Sequence, residues 1–121
     1  MNDVTSAVIG AAIEVHRGLG PGLLESAYQE CLSRELFLRR VPFMRQVPLV
    51  VDYKGVRMDC AYRLDFLVDS AIVVEIKSVA EVAPVHEAQL LTYLRLGPYP
   101  VGLLINFNVP TLRLGIRRMV M

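Results

Sequence analysis

One stretch in the middle of the chain, Arg63–Ser78 (RLDFLVDSAIVVEIKS), constrains the fold more than any other. Leu64, Phe66 and Val68 alternate with polar neighbours, and residues 72–76 form a nearly continuous apolar, mostly β-branched run. That pattern predicts two strands joined by a tight turn at Asp69-Ser70-Ala71. A three-residue turn sets Val68 opposite Ile72, and therefore Phe66 opposite Val74, Leu64 opposite Ile76 and Asp65 opposite Glu75. Residues opposed in this way share one face of a sheet, with Cβ atoms roughly 4.5–5.5 Å apart. Lys77, two residues past Glu75, falls on that same face. A register slipped by one residue would send the two carboxylates to opposite faces.

Burying neighbouring carboxylates is costly unless something offsets their repulsion. A divalent cation does so, and hard oxygen donors suit Mg²⁺ or Mn²⁺. Such an ion can activate water and offset charge developing on a phosphate. Two plainer arrangements use the same residues. One is an exposed hairpin face on which Glu75 and Lys77 make a weak surface pair. The other is a metal-independent structural protein with an Asp65–Lys77 ion pair. The pattern by itself is short and common, but three charges inside the most apolar, most strand-like stretch raise the case for a site.

The 121 residues are enough for one domain with a real core, spanning 1–121. Hydrophobic residues make up 54% and mean hydropathy is +0.42, both high for a small domain. Charges interrupt every apolar run before it reaches the ~20 residues of a membrane helix, so no membrane span is expected. The surplus implies a two-sided sheet under helices, plus an apolar surface for self-association as a homodimer. The start, with Asn2 and Asp3, lacks the basic opening of a signal peptide. Cys31 and Cys60 form no CxxC pair, which argues against zinc and iron–sulfur sites; two reduced core thiols in a cytoplasmic protein are expected. The net charge of +1 excludes a global basic field, so nucleic-acid contacts must be local. Arg39, Arg40 and Arg45, then Arg57 and Arg63, then Arg113, Arg117 and Arg118 are the local clusters, each equally at home as solubilising charge.

Residues 3–17 form an amphipathic helix, with Val4, Val8, Ala11 and Val15 at helical spacing and His16 in the last turn. Gly18-Leu19-Gly20-Pro21-Gly22 is a helix stop, not a phosphate loop. A second helix covers about 23–40 with Leu24, Tyr28, Cys31, Leu32, Leu36 and Leu38 as its apolar side. Glu25 lies in its first turn, where the free N–H groups favour a carboxylate. Equally, Glu25 could reach the cation as a third carboxylate, with Tyr28 one turn later on its face. Strands follow at 46–53, 56–68 and 72–77, the first two joined by a Lys54-Gly55 turn. Pro84 opens a third helix to about 96; His86, Gln89 and Tyr93 share one side of it, while Leu90, Leu91 and Leu94 serve the core. Residues 101–107 form a buried strand, and 112–120 an edge strand or extended tail. A helix joining two strands usually makes them parallel. The expected fold is an α/β sandwich: a mixed central sheet, antiparallel meander plus parallel strand, flanked by helices.

Asp65, then Glu75-Ile76-Lys77, then a helix bearing Gln89-Leu-Leu-Thr-Tyr93 resembles the PD-(D/E)XK nuclease superfamily, with its restriction-endonuclease-like sandwich. The QxxxY helix is similar to the RecB-like branch. Gly22-Leu-Leu-Glu25-Ser-Ala-Tyr28 resembles the motif of the GxxExxY protein family, as do HRGLGPGLLESAY, DCAYRLDFLV, IVVEIKSV, HEAQLLTYL and VGLLINFNVP. The resemblance covers nearly the whole chain; Leu64 stands where proline precedes the aspartate. It implies a Mg²⁺- or Mn²⁺-dependent nuclease acting on DNA or RNA. Asp65 and Glu75 would bind metal with help from Glu25, and Lys77 would orient the attacking water. Tyr28, Gln89, Tyr93 and His86 would support the site or contact substrate. The alternative is a nuclease-like binding or assembly module with little turnover.

Overall fold

Residues 2–121 are described by the structure, a computed structural model. Helices α1 (Asn2–Leu19) and α2 (Glu25–Leu38) precede a meander of β1 (Phe43–Tyr53), β2 (Val56–Val68) and β3 (Ile72–Lys77). Then come α3 (Pro84–Leu96), β4 (Val101–Asn106), a 3₁₀ turn at Leu112–Gly115 and β5 (Ile116–Val120). The strands form one sheet in the order β1-β2-β3-β4-β5. Only β3 and β4 pair in parallel, because α3 carries the chain back to the starting end of β3. The mixed sandwich expected from the sequence is therefore what forms, and the undecided tail is an edge strand on β4.

Both predicted turns hold. Lys54 and Gly55 have φ of 50° and 83°, and Tyr53 pairs with Val56. Asp69 and Ser70 have φ of 53° and 56°, and Val68 pairs with Ile72. The left-handed pairs match the strands' own twist. β1 starts at Phe43 instead of residue 46, since Phe43 and Arg45 already pair with Val68 and Phe66. α2 starts at Glu25, because Leu24 is still extended at φ −70°, ψ 153°.

Two apolar layers hold the sheet. Val8, Ala11, Leu32 and Leu36 of α1 and α2 pack on Phe66, Val74, Ile76 and Ile105. On the other face Leu90, Tyr93 and Leu94 of α3 pack on Leu64, Leu67, Val73 and Leu104. Burying one such side chain contributes about 1.5–3 kcal/mol. Several expected core residues lie outside these layers. Leu24 sits in the loop before α2 and is 77% exposed; Leu38, in the last turn of α2, and Leu91, on the outer side of α3, are also exposed. Of the two cysteines, Cys31 is half-buried and packs against the α1/α2 layer as expected, whereas Cys60 is exposed because residues 52–63 of the β1–β2 hairpin project beyond both layers.

The expected pairing of Leu64 with Ile76 does not form. Phe43 packs with the α1/α2 layer and Val47 with the α3 layer; on β2, Phe66 lies with the first and Leu64 with the second. Face alternation thus reverses on both strands at Gln46 and Asp65, and Gln46 takes φ 52°. Asp65 occupies this crease.

Close backbone approach also fixes the far end of β4. A Cβ built on Gly115 would collide with the Asn106 carbonyl oxygen, a backbone atom unable to swing aside. Gly115→Ala should therefore cost stability at or beyond the upper end of the roughly 1–3 kcal/mol typical of overpacking. Urea denaturation checks this; an unchanged midpoint would contradict the contact.

Candidate active site

The β2–β3 ladder pairs Val68 with Ile72, Leu67 with Val73 and Phe66 with Val74, and stops there. At the next step side chains replace the ladder. The Asp65 N–H donates to Glu75 Oε2 at 2.8 Å, and the Ile76 N–H donates to Asp65 Oδ2 at 2.8 Å. Each carboxylate thus satisfies a backbone donor that the opened ladder would leave without a partner. The predicted juxtaposition of Asp65 and Glu75 is present, reached by separating the strands instead of continuing them.

Glu75 is only 6% exposed. Burial, then the Asp65 charge, push its pKa up from 4.5 to about 8, against the pull of the Asp65 N–H and Lys77. The Asp65 pKa is also raised, chiefly by burial, with the Glu25 charge adding; the Ile76 N–H, Lys77 and Arg45 oppose it. A pair that resists losing both protons in a confined space is one whose charge an outside cation would balance.

Hydrogen bonding engages one oxygen of each carboxylate. Among the described residues Arg45 Nε is the only buried side-chain nitrogen or oxygen without a partner, so Asp65 Oδ1 and Glu75 Oε1 open onto accessible space. Two hard oxygen donors on neighbouring strands, each with one oxygen free of hydrogen bonds, fit a divalent cation such as Mg²⁺ or Mn²⁺. No group of three Asp, Glu, His or Cys side chains among the described residues comes together to hold a metal. Glu25, at the first position of α2, therefore acts on the pair here through its charge. Lys77 ends β3 beside Asn106 of β4. It forms no ion pair within 4 Å among the described residues, which removes the structural Asp65–Lys77 bridge, yet its charge favours ionisation of both carboxylates.

The other predicted residues divide between support and groove. Tyr28 is fully buried and stacks on Phe107 with ring centroids 4.5 Å apart. Its hydroxyl donates to the Gly20 carbonyl at 2.6 Å and accepts from the Leu23 N–H at 3.1 Å. Gly22, at φ 98°, makes the bend between those anchors. Glycine, glutamate and tyrosine at this spacing thus form a clamped loop that presents Glu25 at a helix start. His86 lies away from the carboxylates in function: its Nδ1 accepts from the Ala83 N–H at 3.0 Å and caps α3. His16 Nε2 bonds the Val109 carbonyl at 2.8 Å, a structural role. Gln89 and Tyr93 line a groove between α3 and the β1–β2 hairpin.

Three contributors to the site are not identified as such by the sequence, which reads Arg45 only as part of a basic cluster. Asn106, 2% exposed, donates from its amide to the Val79 carbonyl and accepts from the Val79 N–H, pinning the segment that follows Lys77. A lone polar residue inside the VGLLINF run was its available signal. Ser78 Oγ donates to the Leu23 carbonyl at 2.5 Å, tying β3's exit to the Glu25 loop. Arg45 sets its guanidinium 5.5 Å from the Phe66 ring centroid, ion-pairs with Glu30 and favours ionised Asp65. Its role depends on β1 starting before residue 46.

With this geometry in view, a family model described as the PD-(D/E)XK nuclease superfamily matches residues 2–119. No curated protein and no solved structure gives a significant match.

Folded Glu75 holds its proton to about pH 8, whereas the unfolded side chain releases it near 4.5. The folded state therefore binds the extra proton between these values, and metal-free protein should lose stability as pH rises from about 5 to 8. Glu75→Gln removes the titration and should flatten that decline, raising stability at pH 8 by about 2–4 kcal/mol. Denaturant unfolding at both pH values tests this, and a wild-type stability that climbs over the same interval would contradict it.

Proposed function

This chain belongs to the PD-(D/E)XK nuclease superfamily, and from that premise we propose that it is a divalent-metal-dependent nuclease hydrolysing phosphodiester bonds in nucleic acid. The observation that carries this reading is the Asp65–Glu75 pair, half-buried and buried respectively, reluctant to ionise fully, each with one oxygen free of hydrogen bonds, and with Lys77 on the same strand as Glu75. Asp65 and Glu75 are the residues to hold Mg²⁺ or Mn²⁺, which when bound supplies a Lewis acid that offsets the charge growing on the phosphate. Lys77 orients the attacking water by its ammonium group. Glu25, fixed by the Tyr28 clamp, keeps the electrostatic balance of the pair in favour of a cation. Gln89 and Tyr93 meet the substrate from α3, and Tyr28 and His86 act by holding the loop and helix that carry the site. The Gly22–Tyr28 spacing supports placement in the GxxExxY family, and Gln89–Tyr93 supports kinship with the RecB-like branch.

A nuclease-like binding or assembly module with little turnover is the second reading. It is favoured by the absence of a three-ligand group among the described residues and by the net charge of +1. Self-association as a homodimer belongs to either reading, supported by exposed Phe37, Leu38 and Val120. No helix is long and apolar enough to cross a membrane among the described residues, and a cytoplasmic setting suits the two free thiols.

Lys77→Ala should remove cleavage of labelled DNA or RNA in Mg²⁺ or Mn²⁺, by a hundredfold or more on the order of general electrostatic contributions, while far-UV circular dichroism stays unchanged. Cleavage persisting in a clean preparation of the variant would sink the mechanism. Light scattering at tens of micromolar should show a dimer; a monomer at that concentration removes the self-association proposal alone.

A further inference from the structure

An open groove of about 340 Å³ is walled by α3 on one side and the base of the β1–β2 hairpin on the other. Its size is that of a small-molecule site. Nothing charged lines it: the walls are apolar apart from Gln89, Thr92 and the two tyrosines Tyr62 and Tyr93. The tyrosine rings lie 6.0 Å apart, inclined at 59°. Tyr62 is 44% exposed and Tyr93 is buried, so one ring forms the rim and the other the inner wall.

Tyr93 joins this groove to the strands that carry the carboxylates: it packs in one apolar layer with Leu64, the neighbour of Asp65 on β2, and with Val73, two residues before Glu75 on β3. Its phenol pKa is raised by burial, then by the Glu75 charge, then by Tyr62 and Asp65, which places it within electrostatic reach of both acids. A strand whose phosphodiester lies at Asp65 and Glu75 therefore has its next group at the mouth of the groove. That group has to be uncharged, since a phosphate or an ionised side chain would be desolvated there without a counter-charge. It has to present a flat π surface to two tyrosines and hydrogen-bonding edges to the Gln89 amide and Thr92 hydroxyl. A nucleobase meets all of these requirements. A base still paired in a duplex does not, because its edge and faces are already occupied and it must leave the stack to enter. With net charge +1 the chain also lacks the positive field that tracks a long duplex.

On the premise that the site hydrolyses phosphodiesters, we propose that this groove takes one unpaired nucleobase next to the scissile phosphate, so that the substrate is single-stranded or frayed at the point of attack. Tyr62 stacks on the base from the rim, and Gln89 and Thr92 contact its edge.

The test measures binding separately from cleavage. Full-length Lys77→Ala protein, with Mg²⁺ present, is titrated by fluorescence anisotropy against a labelled single strand, the same strand with one abasic position, and the matching duplex. Each titration is repeated with Tyr62→Ala and Tyr62→Phe added; Tyr62 is exposed enough for both to fold. Stacking of one base predicts that Tyr62→Ala weakens single-strand binding roughly tenfold while Tyr62→Phe retains it. It also predicts that a series of strands with the abasic position moved stepwise shows one position at which binding falls by a similar factor, and that the duplex binds more weakly. Equal binding of intact and every abasic strand, indifference to Tyr62→Ala, preference for duplex, or no binding would each overturn the proposal. So would a dimer that Tyr62→Ala disrupts without strand binding, since a second copy would then fill the groove. Wild-type protein that cleaves yet is indifferent to Tyr62 and abasic positions leaves the nuclease reading standing and removes the base site. Base-dependent binding without any cleavage does the reverse.

Discussion

The exchange of hydrogen bonds between Asp65 and Glu75 is the interaction on which the rest of the site depends. Two strands that leave a ladder expose backbone donors, and donors buried without partners cost about 1–3 kcal/mol each. Here each strand satisfies the other through a carboxylate: Asp65 accepts from Ile76, and Glu75 accepts from Asp65. The opening is thereby stabilised by the residues that need it. Burial raises both pKa values, with the Asp65 charge adding at Glu75 and the Glu25 charge adding at both, so the fold accepts an electrostatic cost at this point. Costs of this kind concentrate where a protein does chemistry. The two apolar layers, one beneath each face of the sheet, supply the stability that makes the cost tolerable.

Around this pair the chain converges by side-chain ties to backbone. Tyr28 clamps Gly20 and Leu23, Ser78 reaches Leu23, and Asn106 holds Val79. Each tie fixes a loop that a neighbouring site residue hangs from: Glu25 at the start of α2, and Lys77 at the end of β3. Fixed backbone of this sort makes a site preorganised, with its charges held before any ligand arrives. The crease at Gln46 and Asp65 serves the same end, turning both strands between layers where Asp65 leaves the ladder.

Much of this was legible from residue order. Alternation in 64–68, the β-branched run 72–76 and the turn residues between them determined that Asp65 meets Glu75, because parity along a strand depends on counting alone. The parallel β3–β4 pair followed from the helix between them. Parity does not report where a ladder opens, so the sequence set Leu64 against Ile76 and missed the crease. Apolar content likewise does not distinguish a core residue from one on a projecting hairpin, which is why the sequence predicts a core thiol at Cys60 and the fold exposes it. His86 shared a helix side with Gln89 and Tyr93, yet its position three residues after Ala83 made it a cap. Asn106 and Ser78 bond partners remote in sequence, and no local pattern announces such pairings.

The central claim is that Asp65 and Glu75 form one coupled, proton-holding site for a divalent cation. Calorimetric titration with Mn²⁺ near pH 7, in two buffers of different ionisation enthalpy, tests it most directly because metal binding must displace protons from its ligands. With Glu75 at about 8, close to one proton should be released per ion bound, falling toward zero well above that pH, and Asp65→Asn should abolish binding. Mn²⁺ binding without proton release, binding unaffected by Asp65→Asn, or no binding heat at all would contradict the account.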